Sequence, residues 1–293
     1  MSQQYVGRFA PSPSGPLHFG SLVAAFGSYF QAKSQQGLWL VRIEDIDPPR
    51  EMEGASALIL KTLEQYGLHW DKSVVYQSHR TDLYQDQIQT WLNSGKAYYC
   101  QCTRKQIQQS GGFYSGTCRS KHLNDPQNCS VRIKVDFPVY QFIDEKYGEM
   151  IIPKALAEED FIIKRRDGLF AYNLAVVLDD IEQGITEIVR GADLIEPTGR
   201  QISLYRELNH PEVSYIHLPL AVDENGNKLS KQNHAPAVNI NEPKPTLIKV
   251  MQFLGFTLPA DFESASLEQM IQWGCDNWSL AQLPASLTAY SSF

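Results

Sequence analysis

The order of elements in this chain predicts an open, parallel α/β sheet. A cysteine-bearing insertion interrupts it, and a short helical C-terminal part follows. Three observations carry that expectation. Strand-length apolar runs alternate with helix-length amphipathic ones from residue 5 to 92 and again from 161 to 218. The alternation lapses between about 97 and 160, where short strands and most of the cysteines lie. From residue 243 onward only short helical periodicities remain. Strand–helix alternation favours a parallel sheet with helices on both faces, because each crossover needs a helix to return the chain.

Taken in order, residues 5–10 alternate as a short strand, and Pro11-Ser12-Pro13-Ser14-Gly15-Pro16 forms a loop. Residues 18–33 follow as a helix, with Leu22, Phe26, Tyr29 and Phe30 at helical spacing. Residues 38–43 form a buried strand that ends in Glu44-Asp45-Ile46-Asp47. A helix over 54–66, a third strand over 74–77 and a helix over 82–92 complete the first half, residues 1–96. The insertion is placed at 97–160, with a strand over 131–135. The second half, 161–240, resumes with a strand over 161–164, a helix over 172–182 and a strand over 187–190. A helix over 197–208, a strand over 215–218 and an Asn225-Gly226 turn signal follow. The helical remnant, 241–293, contains helices over 246–254 and 267–273 and a loosely ordered tail after 283.

Composition excludes several classes. With 43% hydrophobic and 20% charged residues the chain is neither disordered nor fibrous. No apolar run reaches membrane-spanning length, and Met1-Ser2-Gln3-Gln4-Tyr5 lacks the basic and apolar regions of a signal peptide, so a cytoplasmic location is expected and no membrane partner. The net charge of −7 advertises no basic face for nucleic acid. Any such contact must be local, at Lys164-Arg165-Arg166, or at Arg104-Lys105 with Arg119 and Lys121, and charge alone reads these clusters as solvated surface.

Three constellations carry chemistry. The first runs from Arg8 to Ser21: a strand enters a loop, and the loop opens a helix at His18-Phe19-Gly20-Ser21. In an open parallel sheet ligands bind outside such strand ends, and a helix N-terminus offers N–H groups to a polyphosphate. His18 can donate to a phosphate oxygen, and Gly20 spares an adenosine the Cβ that would block it. The second is Lys228-Leu229-Ser230-Lys231-Gln232, two ammonium groups on a loop, suited to charge building on a phosphate and a departing pyrophosphate. The third is Cys100-x-Cys102 with Cys118. Thiolates are the preferred ligands of structural zinc, and a four-coordinate site needs a further ligand from Tyr114, His122 or Cys129. General zinc chemistry favours His122 or Cys129. An odd cysteine count argues against a disulfide framework, and Cys275 is assigned to packing.

The first two motifs, in order and about 200 residues apart, resemble the signatures of class I aminoacyl-tRNA synthetases of the glutamyl/glutaminyl type. Arg8-Phe9-Ala10-Pro11-Ser12-Pro13, Arg42-Ile43-Glu44-Asp45-Ile46-Asp47 and Arg190-Gly191-Ala192-Asp193 resemble the glutamyl branch. Three positions depart from the class pattern: Ser21 stands where the first signature ends in His, and Leu229 and Gln232 replace Met and Ser in the second. Only about 60 residues follow Lys231, too few for a typical anticodon-binding domain. With the cysteine cluster, that shortening resembles the glutamyl-Q tRNA(Asp) synthetase family.

The resemblance implies a Rossmann-like catalytic domain that activates glutamate with ATP without needing tRNA. The glutamyl group then goes to the queuosine base at the wobble position of tRNA(Asp). It implies Arg8, Ala10, Ser12, Glu44, Tyr172 and Arg190 at the bound glutamate, with Glu44 holding the ammonium and the arginines the carboxylates. It implies His18, Gly20, Ser21 and Lys231 at ATP, with His18, Lys231 and Lys228 stabilising the transition state and Mg²⁺ arriving with the nucleotide. For zinc it selects Cys100, Cys102, Tyr114 and Cys118. Read without it, Arg8 or Arg190 in a structural ion pair with Glu44 or Asp193, and Tyr172 as an ordinary core residue, fit equally well. Two rival functions stand beside this reading: a truncated glutamyl-tRNA synthetase charging the terminal adenosine, and a non-catalytic RNA-binding relative. Nothing requires an oligomer, and a monomer is expected.

Overall fold

A computed structural model of the protein describes residues 4–123, 127–222 and 236–290. The chain opens with strand β1 (Val6–Phe9), helix α1 (Phe19–Ser34), strand β2 (Leu38–Ile43), helix α2 (Ala55–Gln65), strand β3 (Val75–Tyr76) and helix α3 (Thr81–Asn93). Then come β4 (Ala97–Cys100), α4 (Arg104–Gln109), β5 (Ser130–Ile133), β6 (Gln141–Asp144), β7 (Gly148–Ile151), α5 (Lys154–Ala157) and β8 (Ile162–Lys164). The remainder is α6 (Tyr172–Glu182), β9 (Glu187–Gly191), α7 (Ile195–Glu207), β10 (Ser214–Leu218), β11 (Leu220–Val222), α8 (Pro243–Phe253), α9 (Leu267–Asp276) and β12 (Thr288–Tyr290).

Strands β1, β2 and β3 form one parallel ladder, and β9, β10 and β6 another, with β7 antiparallel at its edge. Thr186, just before β9, joins the two ladders: its N–H donates to Val6 O at 2.9 Å and its Oγ1 accepts from Val6 N at 2.9 Å. From β1 the chain proceeds through α1 to β2, and from β9 through α7 to β10, in opposite directions across the sheet. The divergence between β1 and β9 is therefore a topological switch point, where the loops at the carboxyl ends of the strands leave a crevice.

Helix α1 fills the sheet's face because it is apolar on more than one side. Leu22, Phe26 and Phe30 are fully buried in one cluster with Trp39, Tyr66, Leu247 and Met251. Side chains of this size each contribute roughly 1.5–3 kcal/mol on burial. Leu247 and Met251 belong to α8, and Met270 of α9 joins the same cluster, so the helical C-terminal part completes the core over α1. Gly27 permits the close approach of α1 to β10, since a Cβ there would lie 2.5 Å from Leu218 Cδ1.

Strand pairing divides the middle of the chain differently from the expected boundaries at 97 and 160. Strand β6, within that range, pairs with β10 of the main sheet, whereas β8, expected to resume it, pairs antiparallel with β5 beside β4. The β4–β5–β8 sheet has a core of its own making: Val131 and Ile163 pack with Tyr84 and Ile88 of α3 and Leu174 and Val177 of α6. Part of the expected loose tail is a strand, because Thr288, Ala289 and Tyr290 pair in parallel with Leu220, Ala221 and Val222 of β11. The Asn225-Gly226 turn lies outside the described residues.

Candidate active site and metal centre

A cleft of ≈ 640 Å³ opens beside the carboxyl end of β2, and its walls include Ser12, Glu44, Asp47, Arg165, Phe170 and Tyr172. The loop after β1 is pinned to the end of β2 by Glu44 N–H donating to Pro11 O at 3.0 Å. Of the expected glutamate contacts, Ser12, Glu44 and Tyr172 line the cleft, and Ala10 is half-buried at the end of β1. Arg8 and Arg190 are buried and do not line it. Their charges, with that of Glu44, act on the Tyr172 hydroxyl, whose titration burial pushes upward.

Arg8 and Arg42 occupy the same face of adjacent strands, because Arg8 pairs with Leu40, two residues before Arg42. Both reach Asp180 of α6. Arg8 donates from Nε at 3.1 Å and Nη2 at 3.3 Å, and Arg42 from Nη2 at 2.8 Å. Burial pushes the Asp180 carboxyl up, but Arg42 and Arg8 overcome it and hold the group below the ordinary carboxylate range. Asp179 accepts from Gln77, Arg80 and Tyr84 at 2.6–2.7 Å. Arg8 therefore pairs with neither Glu44 nor Asp193, the partners an isolated reading offers; its fork is engaged by a carboxylate 172 residues away.

Glu44 stands 3.6 Å from Arg42, and its Oε1 is buried without a hydrogen-bond partner. Burial raises its carboxyl to about 7 against the opposing pull of Arg42 and Arg8. A carboxylate in that condition gains most from a cationic ligand, which supplies the charge and donors it lacks.

His18 is the N-cap of α1 rather than its first helical residue, with Nδ1 accepting from Ser21 N at 3.3 Å. In the neutral ring Nε2 then carries the proton and is the donor. Gly20 and Ser21 lie in the first turn of α1. Lys228 and Lys231 fall outside the described residues. The chain flanking them returns to His18, because Val238 N donates to Leu17 O at 3.1 Å and Ala237 bridges His18.

The sulfurs of Cys100, Cys102 and Cys118 all lie within 4.8 Å of one another, with Cys102 and Cys118 3.6 Å apart. A tetrahedral zinc about 2.3 Å from each sulfur separates them by about 3.8 Å, so the donor set fits that ion. Neither His122 nor Cys129 belongs to this cluster of mutually close donors. Tyr114 packs on Cys100 and Cys118, and its hydroxyl accepts from Cys118 N at 2.8 Å. Arg132 lies over the Tyr114 ring at 3.8 Å and directs Nε to Cys100 Sγ at 3.4 Å, a cation against an anionic ligand set. None of the five cysteines is in a disulfide.

Among the basic groups, Arg165 pairs with Asp47 at 3.1 Å and with Asp167, Lys164 donates to Gln85, and Arg166 to Gln101 O. Arg119 is held by Asp160, whereas Arg104, Lys105 and Lys121 are exposed. Sequence reasoning missed Asp179 and Asp180, although two adjacent carboxylates inside an apolar helix were a visible signal. It also missed His217, which sits within a buried strand, and Asp144, which has no local signal.

The family model for the class I tRNA synthetase (E and Q) catalytic domain matches residues 4–282. A Vibrio cholerae protein named Glutamyl-Q tRNA(Asp) synthetase is 69% identical over 97% of this chain and 93% of its own length. One of the same name from Yersinia pseudotuberculosis is 57% identical over 96% of this chain and 85% of its own. Among solved structures, a glutamate tRNA ligase from Elizabethkingia meningosepticum in complex with its amino acid superposes with a TM-score of 0.81. It is 24% identical and the match covers 99% of this chain and 67% of that one, a likeness of fold. No described helix is long and apolar enough to cross a membrane.

Proposed function

The chain belongs to the glutamyl-Q tRNA(Asp) synthetase family, within the class I synthetases of the E and Q type, and from that premise we propose a two-step reaction. The chain joins glutamate to the α-phosphate of ATP, then passes the glutamyl group to the queuosine base at the wobble position of tRNA(Asp). In the first step an oxygen of the glutamate α-carboxylate bonds to the α-phosphorus and pyrophosphate leaves. In the second a hydroxyl of the queuosine cyclopentenediol attacks the activated carbonyl and AMP leaves, its phosphate accepting the proton.

The observation that supports this reading is the grouping of the Glu44 carboxyl, whose Oε1 has no hydrogen-bond partner, with the Tyr172 hydroxyl and the buried Arg8 and Arg190, on the sheet whose β1 leads into the histidine-capped α1. Glu44 takes the substrate ammonium and Arg190 a carboxylate, with Tyr172, Ser12 and Ala10 completing the contacts. Arg8, braced by Asp180, adds positive potential beneath them. His18 Nε2 donates to a phosphate oxygen beside Gly20 and Ser21, and Lys231 and Lys228 stabilise the pentavalent centre. Catalysis is then positioning and charge stabilisation rather than acid–base chemistry. Mg²⁺ arriving with ATP would neutralise phosphate charge. Cys100, Cys102, Cys118 and Tyr114 would hold zinc, which cross-links the segments around β4.

The test is glutamate-dependent exchange of pyrophosphate into ATP, followed by transfer of labelled glutamate to tRNA(Asp) with and without queuosine. Exchange with glutamate and labelling only of the queuosine form are expected. An absence of exchange removes the first step, and labelling that persists without queuosine removes the second.

A further inference from the structure

Four buried side chains from four elements form a chain of hydrogen bonds that ends at Arg190. Asp144 is on β6, His217 on β10, Arg190 on β9 and Thr198 on α7, and none exceeds 4% exposure. The β9–β10 register pairs His217 with Arg190, so their side chains share a face of the sheet. Asp144 Oδ2 accepts from both the backbone N and the ring Nδ1 of His217, each at 2.8 Å, while its Oδ1 accepts from Lys146 N and Tyr147 N. All its acceptor positions are therefore used.

The protonation pattern follows from these partners. Burial holds the His217 ring on the neutral side against the pull of Asp144. With Nδ1–H committed to the carboxylate, Nε2 presents a lone pair. Arg190 Nε lies 3.3 Å from it and donates there. Thr198 Oγ1–H donates to Leu194 O at 2.8 Å, so its oxygen accepts from Arg190 Nη2 at 2.7 Å. Arg190 Nη2 also reaches Leu194 O at 3.2 Å. The guanidinium is thus gripped at Nε and Nη2 by neutral acceptors, while Nη1 is buried without a hydrogen-bond partner. A guanidinium donor left unsatisfied inside a protein calls for a partner the protein does not supply. Neutral anchors also leave its charge available to that partner, whereas Arg8 has its fork engaged by Asp180.

We infer that Asp144, His217 and Thr198 are positioning residues that fix the Arg190 guanidinium so that Nη1 meets a carboxylate of the acid substrate. Asp144 sets the histidine tautomer, His217 and Thr198 set the rotation of the guanidinium, and none of the three touches the substrate. The inference rests on the proposed glutamate activation.

The test uses the full-length protein in glutamate-dependent pyrophosphate exchange, with the KM for glutamate and for ATP measured separately. His217→Leu removes the acceptor, and His217→Gln replaces it with an amide oxygen that can accept from Arg190. Loss of one well-aimed charge-assisted bond raises the glutamate KM of His217→Leu about tenfold or more, with the ATP KM within about twofold. His217→Gln restores most of the glutamate KM. Thr198→Val and Thr198→Ser give a second such pair and carry the test if His217→Leu does not fold. A folded His217→Leu or Thr198→Val whose glutamate KM matches the parent overturns the inference, as does a parallel rise in both KM values that the conservative variants do not relieve. If the parent protein itself gives no exchange, it is the functional reading that has failed; if the parent exchanges and the variants do not discriminate, only the positioning role has.

Discussion

Replacing Glu44 by Gln tests the electrostatics of the site directly. Glu44 is 8% exposed, its Oε1 is buried without a hydrogen-bond partner, and burial raises its carboxyl to about 7 despite Arg42 and Arg8. Only the ionised form offers a full charge to a substrate ammonium. A group titrating at about 7 is roughly one-tenth ionised at pH 6 and nine-tenths at pH 8. The KM for glutamate in pyrophosphate exchange should therefore fall about tenfold between those pH values and level off above them. Glu44→Gln should bind glutamate more weakly and lose this slope. Stability moves the other way. A carboxyl whose folded pKa lies above its unfolded one stabilises the fold below the unfolded value and loses that contribution as pH rises through the folded value. With values of 4.5 and about 7 the loss amounts to about 3 kcal/mol across that window. Glu44→Gln should thus be more stable than the parent at pH 8 and match it near pH 4.5, as read from denaturant midpoints at each pH. A parent glutamate KM that is flat from pH 6 to 8, or a Gln variant that keeps the slope, refutes the reasoning.

Three further outcomes are expected. Asp180→Asn leaves Arg8 and Arg42 buried without the carboxylate they share, and should cost about 3–5 kcal/mol in urea unfolding. Gly255→Ala meets a positive φ of 88° and places a Cβ 1.9 Å from Gln282 O, so a loss greater than about 1 kcal/mol is expected, with the C-terminal packing affected first in hydrogen exchange. Metal analysis of the purified protein should find about one zinc per chain. Chelation or Cys102→Ala should lower the melting temperature, while Cys129→Ala should leave the metal content unchanged, since Cys129 stands outside the thiol cluster.

The strands and helices that build the site were readable because each announces itself locally. Residues 38–43 are a strand-length run interrupted only by Arg42, 187–190 centre on Ile188 and Val189, and Leu22, Phe26 and Phe30 mark the inner face of a helix. The thiols at 100, 102 and 118 were readable for a related reason, since two ligands one residue apart constrain where a third can stand. Tyr114 was not readable from spacing; the fold sets it against Cys100 and Cys118 and leaves His122 and Cys129 outside the cluster. Sheet membership was less accessible still. Strands β6, β8 and β12 are short, and a few residues with a period of two say which face is buried but not which neighbour covers the edge.

By itself, then, the order of residues determined the longer strands and helices, the alternating architecture and the cysteine cluster, because periodicity and motif spacing are properties of neighbouring positions. Tertiary structure alone decided which charges meet. Asp180 engages Arg8 across 172 residues, and Asp144 reaches His217 across 73. Those encounters depend on how the ladders close at Thr186 and on the loss of water around each group. Burial turns Glu44 from an ordinary carboxylate into one that titrates at about 7, and it leaves Arg190 Nη1 without a hydrogen-bond partner.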